Sequence, residues 1–218
     1  MKSIRIAILD DHAVVRHGLA CHLAEVSGLT VIGAYKNSRE LTRSMTANEI
    51  DILLLDYVLG HGELDGISLI RALHARFPDC QILVFSSRND STTVAATLQV
   101  GARGFISKEE SLPRLVKAIR TVASGAIYLS ERAHHEDNFS VQRNTASRVP
   151  RDGNQRAITL SAREQEVLRC YIDGMTITEI AEKFRRSIKT ISTQKNSAFR
   201  KLGITSNKDL FKIMQAVE

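Results

Sequence analysis

Four apolar residues in unbroken succession, Ile52-Leu53-Leu54-Leu55, end on an acid, Asp56. A run too short for a helix and apolar on both faces is a strand covered from both sides, as in a parallel sheet sandwiched between helices. The same punctuation recurs along the first 125 residues. Ile4, Ile6 and Ile8 lead into Asp10-Asp11, Ile82-Leu83-Val84-Phe85 into Ser86, and Gly104-Phe105-Ile106 into Ser107 and Lys108; Thr30-Val31-Ile32 is a further strand. Between the strands, apolar residues recur at helical spacing: Val15, Leu19 and Leu23, then Ile67, Ile70 and Leu73, then Val94 and Leu98, then Leu115, Ile119 and Val122. Gly28, Pro78, Gly101 and Gly125 close those segments. Five strand-then-helix repeats predict an α/β fold with a doubly wound, five-stranded parallel sheet.

In such a sheet, ligands bind outside the carboxyl ends of the strands, at the topological switch point. Asp10, Asp11 and Asp56 all fall at strand ends, so they are expected to converge at one edge. Three neighbouring carboxylates repel one another unless positive charge sits among them. A hard divalent cation with oxygen ligands, Mg2+, answers that requirement. With the cation in place, Asp56 is a nucleophile toward a phosphodonor, and Lys108 supplies a point charge to the transferring group. The Ser86 hydroxyl can donate to a phosphoryl oxygen. Asp10-Asp11-His12-Ala13 stands where a glycine-rich phosphate loop would follow the first strand, which argues against a dinucleotide or P-loop site. His12, His17 and His22 are spaced by five, which spreads them around a helix, and they are expected to be structural or solvent-exposed.

Past residue 125 the pattern changes. Residues 126–157 read as a flexible linker, polar and without sustained period, and include His134-His135, expected to be solvated. Residues 158–218 read as all-helical, with helices expected over 161–173, 176–184, 187–202 and 206–217. Ser161…Glu164 and Thr176…Glu179 have capping-box spacing, Ser206…Asp209 a weaker version, and Gly174 and Gly203 stand where C-caps belong. The net charge of +6 is uneven. Residues 1–130 hold 14 Lys+Arg against 13 Asp+Glu, whereas residues 158–218 hold 11 against 7. The C-terminal segment therefore suits an anionic partner. In the third of its helices, Ile188, Ile191, Ala198 and Leu202 form the expected buried side. The other side carries Ser192, Thr193 and Asn196, able to read base edges in a major groove, and Lys189, Thr190, Lys195 and Lys201, suited to phosphates. No apolar run approaches the roughly 20 residues of a membrane span, and no secretory leader is evident. Three widely spaced cysteines read as reduced thiols, so a cytoplasmic location is expected.

Residues 1–125 resemble the receiver domain of two-component response regulators, which has a flavodoxin-like fold. The resemblance implies Asp56 as phosphoacceptor, Asp10 and Asp11 as magnesium ligands with the backbone carbonyl of Val58, Ser86 as switch hydroxyl, Phe105 as switch aromatic, and Lys108 as the lysine that holds the phosphoryl group. Residues 158–218, through Leu160-Ser161-x-Arg163-Glu164-x-Glu166-Val167-Leu168, Gly174, Glu179-Ile180-Ala181, Ser187-x-x-Thr190-Ile191 and Lys201-Leu202, resemble the LuxR-type helix-turn-helix domain of the NarL/FixJ group. Within that group, Ser187 to Ala198 is most similar to the RcsB-type regulators. The resemblance implies a transcription factor, not an enzyme, phosphorylated by a histidine kinase or phosphotransfer protein. It would bind double-stranded DNA as a homodimer, or as a heterodimer with an auxiliary regulator, and act on RNA polymerase.

One segment departs from the common receiver pattern. After Asp56 the chain reads Tyr57-Val58-Leu59-Gly60-His61-Gly62-Glu63-Leu64-Asp65-Gly66, so Leu59-Gly60 replaces the usual Met-Pro and the loop is about two residues longer. Gly60 and Gly62 are expected to make it more mobile than a proline would. His61 is expected to be solvated. Two rival readings are a magnesium-dependent phosphohydrolase using Asp56, and a phosphorylation-independent regulator acting through heterodimers. The first lacks a cap or second acid beside the nucleophile. The complete acid–serine–lysine set speaks against the second.

Overall fold

The computed structural model describes residues 3–60, 63–88, 90–130, 160–202 and 204. The chain divides into two compact units, Met1–Asn138 and Phe139–Glu218. The first alternates strands and helices: β1 (Ile4–Leu9), α1 (Ala13–Ala24), β2 (Leu29–Tyr35), α2 (Ser38–Ala47), β3 (Ile52–Leu55), α3 (Gly66–Arg76), β4 (Gln81–Ser86), α4 (Ser91–Gln99), β5 (Ala102–Ser107), α5 (Leu112–Ala123) and β6 (Tyr128–Leu129). All pairings are parallel, in the order β2-β1-β3-β4-β5-β6. The five expected strands are present in a doubly wound arrangement. A sixth, β6, was not anticipated: it adds two residues beside β5, Gly104 opposite Tyr128 and Phe105 opposite Leu129.

The apolar runs are strands because both faces are covered. Ile52, Leu53, Leu54 and Leu55 are each 0–1% exposed. Ile6, Ile8, Ile52, Leu54, Leu83, Phe85 and Ile106 pack on one face against Leu19 and Leu23 of α1 and Leu115, Ala118, Ile119 and Val122 of α5. The alternate residues Ala7, Leu9, Leu53, Leu55, Val84 and Phe105 point the other way and are equally buried, as are Leu41 of α2, Ile67, Ile70 and Leu73 of α3 and Val94 of α4. Asn37 and Asp90 cap α2 and α4 by accepting from the amides of Glu40 and Thr93. The strand order reverses between β1 and β3, where Leu9 and Leu55 are register partners. That crevice lies immediately beyond Asp10 and Asp56.

The second unit contains α6 (Ala162–Ile172), α7 (Ile177–Lys183) and α8 (Ile188–Lys201). Both expected capping boxes form, Ser161 with Glu164 and Thr176 with Glu179. Gly174 takes φ +88° after α6, the left-handed turn that favours glycine. Val167, Cys170, Met175, Ile180, Ala181, Phe184 and Ile191 make the core between the three helices. Leu168, Phe199 and Ile204 form a second cluster. Two expectations for α8 are corrected. Ile188 is 54% exposed and Leu202 37% exposed, whereas Phe199 is buried. Ile188 opens the helix, directly after the exposed Arg185, Arg186 and Ser187, and Leu202 caps its end. The buried side therefore runs Ile191–Ala198–Phe199. The helix expected over 206–217, Gly203 and most of the expected linker, residues 131–157, lie outside the described residues.

Candidate functional site

The backbone ladder delivers the charged side chains to one edge. Asp10 N–H donates to the Tyr35 carbonyl (3.2 Å), Asp56 N–H to that of Leu9 (2.8 Å), and Lys108 N–H to that of Ser86 (2.9 Å). Each residue thus sits one step past the end of its strand. There Lys108 Nζ lies 2.7 Å from Asp10 Oδ2 and 2.7 Å from Asp56 Oδ2, bridging residues 98 and 52 positions apart. Asp10 and Asp56 are nearly fully buried, Asp11 about one-third exposed. The amide of Val58 donates to Asp56 Oδ1 at 3.3 Å.

One ammonium shared between two buried carboxylates leaves negative charge uncompensated. Burial lifts the Asp56 carboxyl from its ordinary 3.8 to about 6; the hydrogen bond and attraction of Lys108 oppose this, and the neighbouring charge of Asp10 reinforces it. Burial by itself would lower the Lys108 ammonium, but its bonds to Asp10 and Asp56 outweigh that and raise it. At neutral pH the carboxyl of Asp56 is therefore mostly ionised, as a nucleophile must be.

Ligand atoms of Asp10, Asp11, His12 and Asp56 all lie within 4.8 Å of one another. Oxygen donors predominate, which fits a hard divalent cation. His12 was not among the expected ligands. It is exposed, as anticipated, but it stands before α1, not on it. Its amide donates to Asp10 Oδ1 (2.8 Å), and its Nδ1 lies 2.9 Å from Asp11 Oδ1 and 3.2 Å from Asp10 Oδ1. Arg16, also missed, donates to the Asp10 carbonyl at 2.7 Å. Its position one turn into α1 could have signalled this.

Ser86 and Phe105 are fully buried on the adjacent strands β4 and β5, and Ser86 Oγ accepts from the Arg88 amide at 3.1 Å. Within its described part, the loop after β3 is held by hydrogen bonds. The Leu59 amide donates to the buried Asp65 (3.2 Å), and the Gly66 amide to the Tyr57 carbonyl (2.9 Å). Glu63 accepts from both the amide and the hydroxyl of Ser38, at 3.1 and 2.8 Å, fastening the loop to the start of α2. A Cβ at Gly60 would stand 3.2 Å from Asp11 Oδ2, a close but single side-chain contact. His61 and Gly62 lie outside the described residues.

In the second unit, Lys189, Thr193, Asn196 and Arg200 are exposed along α8, with Thr190 and Ser192 half-buried. Ser187 caps the helix by accepting from the Thr190 amide at 3.1 Å. Two of the expected phosphate-contacting lysines are engaged internally. Lys195 Nζ lies 4.5 and 4.9 Å from the ring centroids of Tyr171 and Phe199. Lys201 Nζ lies 2.7 Å from Glu164 Oε2, the carboxylate that also closes the α6 capping box.

Residues 6–120 match the response regulator receiver domain, and residues 158–214 the luxR family of bacterial regulatory proteins. The transcriptional regulatory protein RcsB of Salmonella typhi is 31% identical over 218 residues, covering 100% of this chain and 96% of that one. RcsB of Escherichia coli K12 is 30% identical over the same span. Among solved structures, Salmonella typhimurium RcsB superposes with a TM-score of 0.76 at 28% identity, covering 100% and 99% of the two chains. RcsB of Salmonella enterica serovar Typhimurium bound to promoter rprA with the phosphomimetic BeF3− gives 0.71 at 27% identity, covering 99% of each.

Proposed function

The chain belongs to the response regulators that join a receiver domain to a LuxR-type DNA-binding domain, and from this we propose that Asp56 accepts a phosphoryl group that controls promoter binding. The observation that carries the reading is the Asp10–Lys108–Asp56 bridge at the switch point of the sheet. The donor is the phosphohistidine of a kinase or phosphotransfer protein. A carboxylate oxygen of Asp56 attacks phosphorus, the P–N bond breaks, and its electron pair stays with the donor imidazole. Lys108 then moves its bond from Asp56 to a phosphoryl oxygen, and the Ser86 hydroxyl, released from the Arg88 amide, donates to another. Phe105, on the strand beside Ser86, repacks with it, so the new charge is read as a shape change on the β4–β5 side. Asp10, Asp11, Asp56 and the Val58 carbonyl would hold Mg2+, which when bound neutralises the carboxylates and the transferring oxygens. One phosphoryl group is taken up per chain, so this is a switch and not an enzyme.

The second unit reads duplex DNA through α8. Ser192, Thr193 and Asn196 face base edges, and Lys189 and Thr190 face phosphates, with Lys195 and Lys201 in reach of the backbone only by leaving their present partners. Solved RcsB assemblies include two dimers bound to two parallel DNAs, which supports a two-fold dimer here, with RNA polymerase as the downstream contact. A regulator of this kind works in the cytoplasm; no described helix is long and apolar enough to cross a membrane.

The test has two readouts. Full-length protein with acetyl phosphate and Mg2+ gains one acid-labile phosphate by intact mass, and Asp56→Asn gains none. Genomic footprints of wild type and Asp56→Asn then differ. Repeated turnover of a phosphate ester would overturn the first half, and identical footprints the second.

A further inference from the structure

The exposed Ile188 is out of place on a helix whose solvent side is otherwise polar. It opens α8 at 54% exposure, flanked by exposed Arg185, Arg186, Ser187 and Lys189. Nothing in the core needs it, because Ile191, Ala198 and Phe199 fill the buried side. Helix geometry places Ile188 in one row with Ser192, Asn196 and Arg200, each four residues on. That row contains two of the three residues assigned above to base edges, and Ile188 extends it by one turn toward the N-terminus. In helix-turn-helix docking, the N-terminal residues of the recognition helix meet the base edges.

The surrounding charge identifies the occupant of this surface. Four exposed cations, Arg185, Arg186, Lys189 and Arg200, lie within a few turns of Ile188, which suits a polyanion. A phosphate backbone gives an isoleucine nothing to bury against. On the base edges of a major groove, the apolar feature is the C5-methyl of thymine. We propose that Ile188 is a specificity-determining residue that packs on a thymine methyl in each half-site, next to the bases read by Ser192 and Asn196. The proposal rests on the DNA-binding reading of the second unit. It adds a preference for T·A over every other pair, including an otherwise identical dU·A pair, which a purely hydrogen-bonding helix would not show.

Burying one methyl is worth roughly fourfold in affinity, or about 0.8 kcal/mol. A two-fold site read twice would feel roughly fifteenfold. The experiment uses full-length protein with acetyl phosphate and Mg2+. A binding duplex is first selected from a randomised pool, and each thymine is then replaced in turn by deoxyuridine, which removes only the methyl. Wild type is expected to lose roughly fourfold at one thymine per half-site, Ile188→Val to keep most of that loss, and Ile188→Ala to bind the dT and dU duplexes equally. Because Ile188 is exposed, both variants should melt as wild type does. Three results would overturn the proposal: no thymine sensitive to dU, a dU effect unchanged in Ile188→Ala, or an Ile188→Ala defect equal on every duplex. Failure to enrich any sequence from the pool is a separate outcome, which would bring down the DNA-binding reading itself and the proposal with it.

Discussion

Replacing Asp56 by asparagine should stabilise the first unit at neutral pH, although it removes a 2.7 Å ion pair. The folded carboxyl binds its proton more tightly than the unfolded one, at about 6 against 3.8. For an acid so raised, the native state holds more protons across that interval, and stability falls as pH rises through it. Below pH 3.8 neither state is ionised and there is no cost. Above pH 6 the cost is complete, at about 3 kcal/mol given ~1.4 kcal/mol per pH unit. Asparagine imitates the protonated carboxyl at every pH, and Lys108 keeps its bond to Asp10. With unfolding entropy near 2 cal/mol/K per residue, the gain corresponds to a rise of roughly 11 °C in the melting transition of this unit. Melts of wild type and Asp56→Asn at pH 5, 6, 7 and 8, without divalent cations, measure it. The difference should be smallest at pH 5 and level off above pH 7. A variant that melts below wild type at pH 8 would refute the reasoning, because it would mean that Lys108 compensates Asp56 fully.

Divalent cations should act on the same imbalance. Mg2+ should raise the wild-type transition and leave Asp56→Asn nearly unmoved, and Asp11→Asn should weaken Mg2+ binding about tenfold by calorimetry. Lys108→Ala should bind Mg2+ more tightly than wild type, since the ammonium and the cation compete for the same carboxylates, yet take up less phosphate. In the second unit, burial would raise Glu164, but its bonds to Lys201 and the Ser161 amide hold it down at about 2 from an ordinary 4.5. Its contribution is present above pH 4.5 and lost as pH falls toward 2, so Glu164→Gln should flatten the acid limb of this unit's unfolding curve. Lys201→Ala should cost about 1 kcal/mol of stability and hardly change the salt dependence of DNA affinity, whereas Lys189→Ala should reduce that slope by about 0.9 per half-site.

The sheet and its acidic edge were legible because they depend on order along the chain. A parallel arrangement brings every strand's carboxyl end to one side, so Asp10, Asp56, Ser86 and Lys108 needed only correct strand assignments to be placed together. The pairing of Lys108 with two carboxylates at once was not legible, because it depends on packing across the sheet. Strand β6 escaped because two residues carry no period. Ile188 and Leu202 were misplaced for a related reason: a helical wheel gives the face of a residue but not where the partner helix stops.

The loop after Asp56 is the most instructive departure. Its glycines suggest freedom, and Gly60 lies close to Asp11. What restrains the segment is a pair of carboxylates, Asp65 on the Leu59 amide and Glu63 on Ser38. Nothing in their spacing marks either as a tether, and Asp65 is fully buried. Glu63 fastens the described part of the segment to α2 and Asp65 holds the Leu59 amide, so these two carboxylates set how far the backbone around Val58 can move when charge at Asp56 changes.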